Sequence, residues 1–238
     1  MESRTLEEVL SAGLTGLGIP FSEETLSQFR RYYTLLEEKN RQMNLTAISG
    51  EEETARLHFL DCAAILPLLP SGSLTLLDVG SGAGFPGLVL KLLRPELTVT
   101  LLDSQKKRVL FLQEVCDALG LRDVRCLALR AEEAPPAMRE SFDVVVSRAV
   151  ARLNILAELC LPFVRPGGLF LSMKGPAAAE ELDECQKAFR LLGGGSASLI
   201  SCPVPGLDAG RWVVRVEKAE PTPAAYPRRF SQIKKQPL

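Results

Sequence analysis

The chain has 238 residues, of which 46% are hydrophobic and 24% are charged, and its formal net charge is −1. This length suits one α/β domain, alone or with a smaller extension, and the composition argues against a disordered protein. The near-neutral charge excludes a strong overall attraction to a polyanion. Any binding to nucleic acid must therefore depend on local basic patches.

No segment of the sequence predicts export or insertion into a membrane. The first residues lack the apolar core of a signal peptide, and the apolar stretch 62–69 is interrupted by Pro67 and is far shorter than the ~20 residues of a membrane span. The six cysteines form no Cys-x-x-Cys pair, and His58 is the only histidine. We therefore expect a cytoplasmic protein with reduced cysteines, no membrane association and no metal site.

Residues 1–70 are predicted to form a helical N-terminal segment. Ser22, followed by two glutamates, marks a helix start, and apolar residues recur at helical spacing from there to about Asn40. A weaker helix is predicted over 6–17 and another over 52–69. Because no strand precedes residue 70, we expect this segment to be an appendage of the domain that follows.

From residue 74 onward, short apolar strands alternate with helices, which is typical of parallel βαβ units. The predicted strands are 74–79, 98–103, 124–128, 142–147, 169–174, 197–202 and 212–217, and the predicted helices are 87–93, 106–119, 153–164 and 180–192. Because no helix separates the last two strands, they are expected to form an antiparallel hairpin at the sheet edge. The pattern predicts a seven-stranded, Rossmann-like α/β domain over 71–220. A basic tail over 221–238 is expected to lie extended on the surface.

The strongest functional signal is the segment Asp-Val-Gly-Ser-Gly-Ala-Gly-Phe-Pro-Gly over residues 78–87. A buried strand runs there into glycines and then into a helix, so the backbone can turn sharply and approach a ligand without an obstructing Cβ. We expect it to bind a nucleoside cofactor. The predicted contacts are Asp78, Gly80, Gly82, Gly84 and Phe85.

Two cofactors fit this loop. The spacing Gly82-x-Gly84-x-x-Gly87, with Asp103 about 20 residues further on, also satisfies the fingerprint of an NAD-dependent oxidoreductase. Two features favour S-adenosylmethionine instead. The pattern Asp-x-Gly-x-Gly-x-Gly is typical of methyltransferases, and Phe85 and Pro86 crowd the place where a dinucleotide loop must approach a diphosphate.

Further cofactor contacts are predicted at the ends of the next two strands. Asp103 closes the second strand, where a carboxylate can accept hydrogen bonds from both ribose hydroxyls, and Ser104 and Gln105 follow it. Ala131 and Glu132 follow the third strand and are placed to line the adenine. The basic run 106–108 either lies in solvent or contacts RNA.

Arg148, at the end of the fourth strand, is the predicted catalytic residue. The chain lacks the Pro-Pro-aromatic motif of enzymes that methylate exocyclic amines, and a nucleophilic cysteine after proline. A ring nitrogen such as guanine N7 loses no proton on attack, so an orienting cation suffices. The alternative for Arg148 is a salt bridge to Asp78 or Glu132. His58 and Asp61 lie one helical turn apart, and we expect His58 to serve packing.

The sequence resembles the RsmG methyltransferases, formerly called glucose-inhibited division protein B, which modify guanine N7 in the decoding-region hairpin of bacterial 16S rRNA. The resemblance covers nearly the whole chain. It rests on the following segments: Asn-Leu-Thr at 44–46, His-Phe-Leu-Asp at 58–61, the glycine loop 78–87, Leu-Asp-Ser at 102–104, Arg-Ala-Glu at 130–132, Ser-Arg-Ala at 147–149, Lys-Gly at 174–175 and Tyr-Pro-Arg-Arg at 226–229. Cys62 and Leu88 are mild departures from serine and isoleucine.

This resemblance implies the class I methyltransferase fold, S-adenosylmethionine as cofactor and 16S rRNA or the small ribosomal subunit as partner. It implies cofactor contacts at Gly80, Phe85, Asp103, Ala131, Glu132 and Arg148. It further implies RNA contacts at Arg148, Lys174, Arg228 and Arg229. Another RNA, a protein or a small molecule is an alternative acceptor, and a non-catalytic nucleoside-binding module is an alternative function. No long heptad pattern is present, so we expect a monomer.

Overall fold

The centre of the protein is a mixed β-sheet, seen in a computed structural model that describes residues 4–238. The described residues form seven strands in the order β3-β2-β1-β4-β5-β7-β6. The strands are β1 (Thr75–Val79), β2 (Thr98–Asp103), β3 (Val124–Ala128), β4 (Phe142–Arg148), β5 (Val164–Lys174), β6 (Gly194–Ser201) and β7 (Trp212–Lys218). The first five strands are parallel, and β7 lies antiparallel between β5 and β6. The predicted α/β sheet with an edge hairpin is confirmed.

The inner strands are buried on both faces because consecutive side chains of a strand point to opposite sides. Leu76 and Val144 belong to the core on one face of the sheet, whereas Leu77 and Val145 belong to the core on the other. Helices cover both faces. They are α1 (Leu6–Gly16), α2 (Glu23–Met43), α3 (Glu51–Thr54), α4 (Asp61–Ala63), α5 (Gly87–Leu93), α6 (Lys106–Ala118), α7 (Leu153–Cys160), α8 (Ala178–Leu191) and α9 (Phe230–Lys235).

Two predicted boundaries differ from the structure around the fifth strand. The helix predicted over 153–164 ends at Cys160, and a 3₁₀ turn, Leu161–Phe163, follows because Pro162 cannot continue an α-helix. Strand β5 begins at Val164, five residues earlier than predicted, and Val164 pairs with Phe142 before the register shifts. The glycines in this stretch form an irregularity within the strand rather than a loop before it.

The N-terminal helices are part of the main core, which corrects the expectation of an appendage. Phe29 of α2 and Phe59 are both fully buried, with ring centroids 4.9 Å apart, in the same hydrophobic cluster as Leu76 and Val99 of the sheet. The side chain of Arg30 joins α2 to α1 and α3 through Glu7 and Glu51. Residues 4–70 therefore hold their shape by packing on the sheet.

Between α3 and α4 lies a π-helical segment, Ala55–Leu60, so that 51–63 form one continuous helical stretch. The Asp61 amide donates to the Arg56 carbonyl, five residues back, instead of to the residue four back. Such wider turns occur often at functional sites. This one carries His58 and places Asp61 directly after it.

The C-terminal tail is folded against the domain, and this corrects the prediction of an extended segment. Its short helix α9 follows Arg228, whose side chain donates to both carboxylate oxygens of the fully buried Glu158. From the domain side, Arg139 donates to the Tyr226 carbonyl at 2.7 Å. Within residues 4–238, no helix is long and apolar enough to cross a bilayer.

Candidate active site

A cavity of about 390 Å³ opens at the carboxyl ends of the parallel strands, where ligands bind in sheets of this type. It lies over the loops that follow β1, β2, β3 and β4. Eight residues predicted from the sequence line it: Gly80, Gly82, Phe85, Asp103, Ser104, Ala131, Glu132 and Arg148. The structure thus brings together most of the predicted cofactor contacts.

The glycine loop forms the floor of this cavity and is fixed by the neighbouring strand end. The amides of Gly80 and Ser81 both donate to the Leu102 carbonyl, at 2.8 and 3.1 Å. Gly82 has φ +58°, a left-handed conformation that favours glycine, and its amide donates to Asp103 Oδ2 at 3.0 Å. The loop and the Asp103 carboxylate therefore form one rigid unit.

Asp103 keeps acceptor capacity for a ligand. Its Oδ1 accepts from the Gln105 amide at 2.8 Å, and its Oδ2 accepts from Gly82. The guanidinium of Arg108, which also lines the cavity, lies 3.5 Å from Oδ2. Each carboxylate oxygen has two lone pairs, so Oδ1 can still accept a hydrogen bond from one ribose hydroxyl, and Oδ2 can accept a second in place of the long contact with Arg108.

Three predicted contacts do not line the cavity. Gly84 is needed for packing, because a Cβ there would collide with Tyr32 of α2 and with Leu88. Gln105 contributes only its backbone amide, which orients Asp103. These two residues therefore support the site without facing it.

Asp78 is the third of them and is fully buried beneath the loop. Its Oδ2 accepts from the Gly87 amide at 2.8 Å, while Oδ1 has no hydrogen-bond partner among residues 4–238. Burial raises the pKa of this carboxyl to about 7. Asp78 thus holds the start of α5 close to the end of β1.

The Arg148 side chain extends from the end of β4 and contacts the helical stretch 51–63 and Phe85. One Nη donates to Asp61 Oδ2 at 3.0 Å and to the Leu57 carbonyl at 3.1 Å, and the other lies 2.9 Å from His58 Nδ1. Its guanidinium carbon lies 5.0 Å from the ring centroid of Phe85. A salt bridge to Asp78 or Glu132 was the alternative role for Arg148; the structure shows its salt bridge to Asp61 instead, on the helical stretch 51–63.

The two ring nitrogens of His58 are both occupied. Because Arg148 can only donate, Nδ1 accepts, and Nε2 therefore carries the proton and donates to Thr46 Oγ1 at 2.8 Å. Asn40 holds the backbone of Thr46 through two side-chain bonds of 2.9 Å. Burial and the nearby arginine lower the pKa of His58 to about 3. His58 is therefore a neutral spacer that orients Arg148 and stacks on Phe85, with ring centroids 4.4 Å apart.

The residues predicted to contact RNA lie in different surroundings. Lys174 is nearly buried and donates to Glu181 at 2.8 Å and to the Ala151 carbonyl at 2.9 Å. Arg228 is engaged by Glu158, and Arg229 is exposed. Lys174 lines a second cavity next to the first, whereas Arg228 and Arg229 line neither of the two. RNA contact by these three residues stays a prediction.

The lining residues of the first cavity that sequence reasoning missed include Leu45, Thr46, His58 and Phe230. The segments containing the first three belonged to the family resemblance, but no local pattern gave them a role. Phe230 begins α9, and the Arg130 guanidinium lies 5.9 Å from its ring centroid. Its position follows from the folding of the tail, which the tail's composition does not predict.

The residues present fit S-adenosylmethionine. A nucleoside needs acceptors for its ribose hydroxyls, which Asp103 offers, and the carboxylate of Glu132 lies in the same cavity for the adenine. The floor at Gly82 is open, because only the Gly80 carbonyl lies within 4 Å of where a Cβ would stand. The methionine half can therefore lie directly on the backbone of the loop.

Solved structures of similar fold include YcgJ from Bacillus subtilis (15% identity, TM-score 0.53, covering 68% of this chain and all of that one). Another is protein Atu636 of Agrobacterium tumefaciens, described as a predicted O-methyltransferase (17% identity, TM-score 0.55, covering 75% of this chain and 95% of that one). At this identity the likeness concerns the fold alone. It confirms the predicted seven-stranded, Rossmann-like α/β architecture.

Sequence comparison identifies the family. The family model described as rRNA small subunit methyltransferase G matches residues 25–205. Two relatives are named ribosomal RNA small subunit methyltransferase G. The protein from Acetivibrio thermocellus is 43% identical over 98% of this chain and 97% of its own length. The protein from Lachnoclostridium phytofermentans is 44% identical over 95% of this chain and 95% of its own length. The prediction of a methyltransferase is confirmed, and the alternative of an NAD-dependent oxidoreductase is wrong. The chain therefore belongs to the rRNA small subunit methyltransferase G family.

Proposed function

We propose that the protein transfers the methyl group of S-adenosylmethionine to N7 of one guanine in 16S rRNA, in the decoding-region hairpin of the small ribosomal subunit. Family membership supports the ribosomal substrate. In this proposal the protein acts as a monomer in the cytoplasm, where ribosomal subunits are assembled. The observation that carries the proposal is the placement of Arg148 in the wall of the cofactor cavity, beside a histidine with no free nitrogen.

Within the first cavity, Asp103 would hold the ribose, Ala131 and Glu132 would border the adenine, and Gly80 and Gly82 would form the floor beneath the methionine half. When bound, S-adenosylmethionine supplies an electrophilic methyl group on a sulfonium. The chain contributes binding and orientation, which bring two reactants together at high effective concentration.

The site chemistry matches a nucleophile that needs no deprotonation. Guanine N7 attacks with a lone pair and loses no proton, so no general base is required. His58 is neutral and both of its nitrogens are engaged, so it cannot take a proton without breaking this network. Arg148 is a fixed cation that can orient guanine O6 or a phosphate while N7 points at the methyl group.

The test is methyl transfer to small ribosomal subunits from a strain that lacks this gene. The purified protein is incubated with radiolabelled S-adenosylmethionine, and the label is mapped by strand cleavage specific for N7-methylguanine. We expect label at a single guanine, strongly reduced by Asp103→Ala at limiting cofactor and by Arg148→Ala at any cofactor concentration. Arg152→Ala is the matched control and should retain the label, because Arg152 is exposed and, within residues 4–238, pairs only with Glu184.

If cofactor binds measurably but no label enters the subunits, the ribosomal assignment is wrong. If the label enters the subunits but resists N7-specific cleavage, the ribosomal substrate is correct and methylation at guanine N7 is wrong. Both results are informative only once cofactor binding has been shown by calorimetry.

A further inference from the structure

A second cavity, of about 530 Å³, adjoins the first across a shared wall. The wall consists of His58, Arg148 and Ala149, which line both cavities. The second cavity lies between the helical stretch 51–63 and the ends of β5 and β7. The first cavity fits an adenosine with an amino acid attached, so the larger second cavity has room for a nucleotide.

The walls of the second cavity combine positive charge with a large aromatic ring. Three cations, Arg148, Lys174 and Arg211, line it together with a single carboxylate, Asp61, which both arginines already bind. The Nη groups of Arg211 have no hydrogen-bond partner within residues 4–238, and its side chain is 25% exposed. The cavity therefore offers an anion at least one free guanidinium edge.

The aromatic ring is that of Trp212, at the start of β7. Its backbone pairs with Lys174 of β5 and with Ser201 of β6, so the ring is mounted on the sheet edge. The side chain is half-buried, and within the described chain its indole N–H has no hydrogen-bond partner. A flat aromatic side chain next to arginines is the surface on which proteins stack an unpaired base.

We propose that the second cavity receives the target nucleotide of the RNA, with Trp212 stacking on its base and Arg211 facing its phosphate. This inference rests on the proposed function and names the part of the chain that holds the acceptor. The base would then lie beside Arg148 at the boundary between the two cavities, where its N7 can face the first cavity. A cationic guest such as a lysine side chain is disfavoured, because three cations face one carboxylate that is already paired.

The test compares Trp212→Ala with Trp212→Phe in methyl transfer to undermethylated small subunits. Loss of one stacked base should lower kcat/KM roughly 5- to 150-fold for Trp212→Ala. Trp212→Phe keeps a flat ring and should recover most of the activity. The Kd for S-adenosylmethionine should change less than about twofold for both variants, because Trp212 does not line the first cavity.

Tyr33→Ala is the matched control, since Tyr33 is a half-buried aromatic residue that lines neither cavity. If Trp212→Ala impairs folding, Arg211→Gln replaces it: loss of one phosphate contact should reduce the slope of log KM against log salt by about 0.7 to 0.9. The inference is overturned if the wild-type protein methylates the subunits while Trp212→Ala matches it and Arg211→Gln leaves the slope unchanged. The proposed function would survive that result. If the wild-type protein labels no subunit, the proposed function fails, and this inference fails with it.

Discussion

The two cavities meet at Arg148, yet the chain builds them in different ways. The first is made from loops that follow successive parallel strands, so a local motif accompanies most of its walls. The second is assembled from segments distant in sequence; for example, Asp61 and Arg211 are 150 residues apart and 2.9 Å from each other. Cofactor binding is therefore encoded locally, whereas acceptor binding depends on the packing of the N-terminal helices against the edge hairpin.

This difference predicts that substitutions separate into two classes. Changes on the first cavity alone should weaken cofactor binding, and changes on the second alone should weaken use of the RNA. Residues of the shared wall should affect both.

Arg148→Ala should give the largest effect, because Arg148 is common to both cavities and has three protein partners. We expect kcat/KM with small subunits to fall about 100- to 1000-fold, the usual loss when a preorganised donor is removed. Arg148→Lys keeps the charge but lacks the forked guanidinium that contacts three partners. Its activity should therefore lie between those of the wild-type protein and Arg148→Ala. Steady-state kinetics measures kcat/KM with small subunits, and calorimetry measures the Kd for S-adenosylmethionine. A change in only one of them would mean that Arg148 does not couple the cavities.

Arg228→Ala should destabilise the protein by about 3 kcal/mol, because it leaves the fully buried Glu158 carboxylate without its cation. Arg229→Ala is the matched control, since Arg229 is exposed and its loss should leave stability within about 0.5 kcal/mol. Urea unfolding at pH 7 measures both.

The variants Arg228→Ala and Arg229→Ala also show whether the C-terminal tail contacts RNA or supports the fold. If Arg228→Ala is as stable as the wild-type protein but raises KM for the subunits, Arg228 is an RNA contact. If it is unstable and also weakens cofactor binding, the tail acts through Phe230 in the wall of the first cavity. The second outcome would identify a part of the cofactor site that is made by a long-range contact.

Asp103→Ala should weaken S-adenosylmethionine binding about 10- to 100-fold, since hydrogen bonds to a charged group contribute about 1.5–3 kcal/mol. The loop amide of Gly82 also loses its acceptor. Glu133→Ala is the control, because Glu133 is exposed and does not line either cavity. Calorimetry gives the Kd, and the KM for subunits at saturating cofactor should be unchanged. A raised KM with normal cofactor affinity would contradict the separation of the two cavities.

The same division explains what could be predicted from the sequence. The glycine loop and Asp103 follow strands whose apolar pattern is visible locally, and in a parallel sheet such strand ends must meet. Asp61 could not be paired with Arg148 in advance, because that contact joins the N-terminal helical segment to β4. The role of Trp212 was equally hidden, since its ring becomes part of a cavity only when the hairpin adds to the sheet edge.

Substitution of His58, which lies in the wall shared by the two cavities, should give the smallest effect, a change in the pH dependence of stability. Its pKa is lowered to about 3 by burial and by Arg148, whereas an unfolded histidine titrates near 6.5. Between these values the unfolded chain binds the proton and the folded chain does not, so this contribution to stability is lost as the pH falls from about 6.5 to about 3.

As the pH falls from 6 to 5, the free energy of unfolding of the wild-type protein should therefore decrease by about 1 kcal/mol more than that of His58→Gln, as measured by urea unfolding. Asp78, whose pKa burial raises to about 7, has the opposite pH dependence, but it is present in both proteins and cancels in the difference. Parallel stability curves would mean that His58 is protonated in the folded state. It could then no longer accept from Arg148, and the orientation of the guanidinium between the two cavities would need another explanation.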